Sequence, residues 1–70
     1  MRYIQTGDSL INMDLISRFN IIEETPTRVC ILADGDKLYE LRSRWEADSL
    51  LERIIDFSQN GNGVFDPVAD

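Results

Sequence analysis

The side chains able to do covalent chemistry are few, and their spacing works against them. Cys30 is the only thiol, and the chain holds no histidine. A serine or cysteine nucleophile needs a neighbouring base to take its proton, and the usual base is missing here. Cys30 also falls inside the apolar run Val29-Cys30-Ile31-Leu32-Ala33, where burial raises a thiol pKa and leaves it inert. Paired carboxylates are the other option, but they must converge in a pocket that drives their pKa values apart. Asp34 and Asp36 instead flank Gly35 at a hairpin tip, a place expected to face water. No catalytic residue and no enzymatic activity are expected.

Metal chemistry meets the same shortage. One thiol and no imidazole exclude a zinc site built from Cys and His. Ser58-Gln59-Asn60-Gly61-Asn62-Gly63 imitates part of a calcium loop, in which oxygen ligands alternate and a glycine makes the sharp turn. Its first position is Ser58 rather than Asp, and its last would be Ala69 rather than a bidentate Glu. The stretch is therefore read as a helix C-cap running into a turn, with no metal and no cofactor expected.

What remains is contact chemistry. Trp45 lies opposite the apolar stripe of the helix that contains it, beside Ser49, Glu52 and Asp56 at 100° per residue. A tryptophan in that place is either an interface anchor, offering area and a polar handle, or a cap folded over the end of a sheet. Asp48, Glu52 and Asp56 make an acidic helix face that is a solvated surface unless a basic partner meets it. Val64, Phe65 and Val68 lie near the C-terminus, where a free tail needs no such residues. They either dock on the chain's own sheet or add a strand to a neighbour's edge.

These residues must be positioned by short elements. Tyr3–Thr6 reads as a first strand, turned by Gly7-Asp8 into Ser9–Asn12. Met13–Ile16 reads as a bend in which Asn12 or Asp14 bonds its own backbone. Arg18–Glu23 is a strand with Phe19 and Ile21 on one face, ended by Glu24-Thr25-Pro26-Thr27. The run Val29–Ala33 has the continuous apolar character of a central strand covered on both faces. Asp34-Gly35 is the strongest hairpin signal in the chain, and Lys37–Arg42 returns with Tyr39 and Leu41 facing one way. Ser43-Arg44-Trp45-Glu46 is a capping box. It opens a helix whose stripe is Ala47, Leu50, Leu51, Ile54, Ile55 and Ser58, stopped at Asn60-Gly61. The fold class expected is α+β: one small antiparallel sheet of four to five strands on a C-terminal amphipathic helix, as a single domain over 1–60 with a tail over 61–70.

Size and charge bound the partners. A chain of 70 residues buries only about 60% of its unfolded surface, and small scaffolds of this kind add disulfides, a metal or a second subunit. With the first two excluded, a homo-oligomer or docking on a protein partner is expected. The net charge is −6, and the seven basic residues are scattered, so nucleic-acid binding is disfavoured. No apolar run approaches the roughly 18 residues of a membrane span. The N-terminus lacks a signal-peptide pattern, and with a lone thiol the cytoplasm is the expected location.

Ile11-Asn12 and Leu15-Ile16 are followed by Glu24-Thr25-Pro26, Val29, Leu32, Gly35, a tyrosine, and a helix ending Arg53-Ile54-Ile55-Asp56-Phe57. In this order the chain resembles the small flagellar and swarming-motility proteins of the FlbD (SwrD) family over residues 7–58. About three extra residues before the Glu-Thr-Pro turn, a one-place shift at Tyr39 and the tail depart from the pattern. The resemblance implies a hairpin-plus-helix architecture and an accessory role in motility. The residues themselves imply a small acidic non-catalytic interaction or regulatory protein. A phage-type anti-defence inhibitor that occupies a basic groove is the alternative that size and charge suggest.

Overall fold

A computed structural model of the chain describes residues 1–7 and 9–67. Six strands and one helix follow in the order β1 (Arg2–Thr6), β2 (Ser9–Asn12), β3 (Phe19–Thr25), β4 (Arg28–Ala33), β5 (Asp36–Leu41), α1 (Arg44–Asn60) and β6 (Gly63–Phe65). The class is α+β, as expected. The single sheet is replaced by two three-stranded ones: sheet A in the order β2-β1-β6 and sheet B in the order β3-β4-β5. The helix is not the last element either.

The split comes from the link between β2 and β3. Asn12 Oδ1 accepts the Asp14 amide at 2.9 Å and caps a 3₁₀ turn over Met13–Leu15, as the local hydrogen-bonding capacity of Asn predicts. That turn buries Met13 in the core and stands between β2 of sheet A and β3 of sheet B. The next link is tied down by Asp34, whose carboxylate accepts the amides of Ser17 and Arg18 at 3.0–3.1 Å. Asp34 thus sits at the hairpin tip in water, as expected, and also clamps the neighbouring loop.

Sheet B follows its turn chemistry. Asp34 and Gly35 both take positive φ, 51° and 91°, the combination a two-residue hairpin needs. Val29, Ile31 and Ala33 of β4 face the core with Phe19 and Ile21 of β3 and Tyr39 and Leu41 of β5. A bulge at Ile31/Leu32 sets Ile31 opposite Tyr39 but Leu32 opposite Lys37. The extra residue, Leu38, is buried with the core, and Lys37 is thrown onto the opposite face. In β3 the pairing continues past Glu23 to Thr25, with a second irregularity at Glu24.

Helix α1 packs on β3, β4 and β5. Ser43 caps it, its hydroxyl accepting the Glu46 amide at 3.2 Å. In the expected capping box the glutamate reaches back to the cap amide; here its carboxylate takes the Ser43 hydroxyl at 3.4 Å. Ala47, Leu50 and Ile54 are buried and Leu51 packs on the core, as the periodicity predicts. Ile55 is the exception: it is 42% exposed, and Phe57 joins the core instead. The buried face is rotated because β6 returns beside the helix and brings Phe65 to Phe57, ring centroids 5.5 Å apart. Gly61 ends the helix with extended φ of −90°, its amide donating to the Phe57 carbonyl. A Cβ at Gly61 would collide with the Phe57 ring, so the glycine serves this close approach and not a left-handed turn.

The segment over 61–70, expected as a tail, contributes β6 to sheet A. β6 pairs in parallel with β1, Arg2 to Gly63 through Ile4 to Phe65. Phe65 is only 7% exposed and completes a core with Ile4, Met13, Val29, Ile31, Leu38, Ala47, Leu50 and Ile54. Among the described residues no helix is long and apolar enough to cross a membrane.

Candidate functional site

Helix α1 and the returning β6 segment enclose an open groove of about 570 Å³, lined by Ser49, Glu52, Arg53, Asp56, Phe57 and Phe65 among others. A smaller depression of about 260 Å³ continues it toward the helix N-terminus between Leu41, Trp45, Glu46, Ser49 and Pro67. The structure therefore brings together five of the residues singled out above: Trp45, Ser49, Glu52, Asp56 and Phe65. It separates two others. Val64 points away on sheet A and is 52% exposed, and Val68 lies outside the described residues.

The groove has distinct parts. Its floor is aromatic, Phe57 against Phe65, with the Arg53 guanidinium 5.6 Å above the Phe65 ring. Its rim is acidic: Glu46, Glu52 and Asp56, with Asp56 also accepting from the Asn60 amide group at 3.0 Å. At one end stands Trp45, 77% exposed. Trp45 borders the smaller depression beside Leu41 of β5 yet keeps most of its surface open to solvent. Phe65 is the reverse case, a core residue that shows only an edge to the groove. Arg44 is engaged elsewhere on the helix, with Asp48 at 3.1 Å.

A second cluster went unseen in the sequence. Glu24, Cys30 and Glu40 place their ligand atoms within 4.8 Å of one another, on the face of sheet B turned away from α1. The bulge creates it. Simple alternation from the Asp34-Gly35 turn pairs Cys30 with Tyr39, whereas the observed register pairs it with Glu40. The Cys30 thiol donates to Glu24 Oε1 at 2.9 Å. Lys37 Nζ lies 3.3 Å from Glu40 and 3.7 Å from Glu24, so an ammonium already stands where a cation would be drawn. Accepting the thiol's hydrogen bond and lying beside Lys37 hold the Glu24 carboxyl below its ordinary range. The same hydrogen bond, then burial, pushes the Cys30 thiol up. Cys30 is 2% exposed, and both effects keep the thiolate, the reactive form, scarce. The cluster is an ion-pair network around a buried thiol.

Comparison with protein-family models, curated proteins and solved structures finds no match to this chain. Fold and groove define a class only: a small α+β domain whose most distinctive surface is an acidic-rimmed, aromatic-floored groove with one exposed tryptophan.

Proposed function

We propose that the chain is a non-catalytic protein-interaction module, and that the groove along α1 receives a partner segment carrying an apolar anchor flanked by Lys or Arg. The observation that carries this reading is Trp45, a large aromatic 77% exposed at the mouth of a groove rimmed by carboxylates. Leaving an indole in water forgoes burial worth about 1.5–3 kcal/mol, and an interface recovers that burial. The acidic rim supplies orientation and encounter rate more than affinity. The resemblance to the small motility proteins is compatible with such a module, since an accessory protein of that kind acts by contact.

The test is selection of displayed peptides on the immobilised chain, followed by titration of the enriched peptides with Trp45 fluorescence as readout. Enriched sequences are expected to carry basic residues around an aliphatic or aromatic anchor. Trp45→Ala is expected to weaken them at least about tenfold, the loss of one modest hot spot, and added salt to weaken them further. Peptides that bind Trp45→Ala as well as the native chain, or no enrichment at all, would overturn the reading. Binding abolished by salt alone, with Trp45 irrelevant, would favour the inhibitor that mimics charge.

A further inference from the structure

We infer that the outward face of sheet A is a self-association surface, through which two copies of this chain pack face to face as a symmetric dimer. This stands on a different surface from the groove and does not depend on it.

Strand alternation defines the face. Ile4, Ile11 and Phe65 turn inward to the core, so Tyr3, Gln5, Leu10, Asn12 and Val64 point the other way. The register sets Tyr3 between Asn12 and Val64, with Gln5 beside Leu10. Leu10 and Val64 are 55% and 52% exposed. The Tyr3 hydroxyl donates to Met1 Sδ at 3.2 Å, on the same outer side, and α1 is occupied with the strands of sheet B.

Charge identifies the occupant. Arg2 is the sole charged residue of these three strands. It shares the inward parity of Ile4, and its Nε donates to the Gly61 carbonyl at 2.8 Å. The outer face of sheet B instead carries Glu24, Arg28, Lys37 and Glu40, and α1 carries Glu46, Asp48, Glu52 and Asp56. Two copies with a net charge of −6 each repel wherever their carboxylates meet. Among the described residues, the strands of sheet A carry no carboxylate, so their outer face lets two copies touch without bringing strand carboxylates together. It is self-complementary in the way a two-fold interface requires, whereas a basic partner has nothing there to read.

The size of the face sets the strength. Strands of this length, about 4.8 Å apart, offer a few hundred Å² on each copy. That is below the roughly 800 Å² per partner of standard specific interfaces and within the range of weak, transient ones, so a reversible dimer is expected and not an obligate one.

Sedimentation equilibrium over a concentration series tests this on the full chain, with Leu10→Lys, Val64→Lys and Trp45→Ala alongside. The native chain should reach the mass of two copies at high concentration. Either lysine should raise the dissociation constant at least about tenfold by burying an unpaired charge, and Trp45→Ala should leave it unchanged. The lysines reduce the net negative charge, so repulsion between whole subunits would predict the opposite effect. Raising salt from about 0.05 to about 0.5 M should tighten the dimer by screening that repulsion. A single-copy mass at every concentration would overturn the inference, as would a dimer indifferent to both lysines. A second measurement on the native chain guards against misfolded variants. Concentration-dependent NMR shifts should centre on Tyr3, Leu10 and Val64, and shifts centred on Trp45 would sink the proposal.

Discussion

Sheets A and B each give one face to the same core, yet they are built by opposite means. Sheet B is local: strands of seven, six and six residues joined by two tight hairpins, covered by α1, with ion pairs across its other face. Sheet A is assembled from strands of five, four and three residues, and its third strand arrives from the far end of the chain. Among the described residues, no charged side chain of its strands points outward. The contrast shows how a small domain can divide its labour. One sheet provides a framework whose charged face discourages unwanted pairing, and the other leaves open a face to which its strands bring no charge.

The largest expected effect lies in the framework. Ile31 is 0% exposed at the centre of β4, and Ile31→Ala is expected to cost about 3–4 kcal/mol, a large share of a small domain's stability. Urea melts followed by hydrogen exchange should show both sheets lost together. Protection that survives in β1 and β6 would reverse the roles assigned to the sheets.

Gly61→Ala is expected to cost about 2 kcal/mol by overpacking, because the new Cβ meets the Phe57 ring that supports Phe65. Exchange should quicken at β1 and β6 while the β4–β5 hairpin stays protected. Uniform loss across both sheets would show that β6 is not a separate dependency. Asp34→Ala removes the acceptor of the Ser17 and Arg18 amides and puts alanine at a φ of 51°. About 1–2 kcal/mol is expected. Asp34→Asn, which tolerates that φ, should cost less, and equal losses would assign the whole effect to the carboxylate.

The smallest effect is a pH dependence where the sheets touch. The Tyr39 hydroxyl of β5 donates to the Gln5 carbonyl of β1 at 2.8 Å. Burial first, and the nearby Asp66 charge second, push its pKa from 10.0 up to about 12. A folded pKa above the unfolded value means the contribution is whole below pH 10 and is lost as pH rises through that interval. Absorbance titration with circular dichroism should show an alkaline transition in that window, softened in Tyr39→Phe. An unchanged transition in the variant would remove Tyr39 as a link between the sheets.

What could be read in advance divides along the same line. The Asp34-Gly35 turn, the Asn12 bend, the Ser43 cap and the inward faces of β3 and β5 are consequences of neighbouring residues, and all are observed. The parallel pairing of β6 is not local. Three residues, Gly63-Val64-Phe65, carry no strand signal of their own, and their partner is at the other end of the chain. The exchange of Ile55 for Phe57 follows from that arrival, since helical periodicity alone does not know where Phe65 will be. The Glu24–Cys30–Glu40 cluster was hidden by the bulge at Leu38, which shifts a register that simple alternation counts wrongly. The groove was legible as residues opposite the helix stripe, but its floor was not, because β6 supplies it.

The pairing of β6 with β1 also has a consequence for synthesis. The first strand to leave the ribosome must wait for the last, so sheet A stays open until residue 65 has emerged, while β3, β4, β5 and α1 can already close on one another. During that interval Ile4 and Met13 lack part of their cover. Until β6 arrives, β1 presents an unpaired edge, the kind of edge that pairs with other chains.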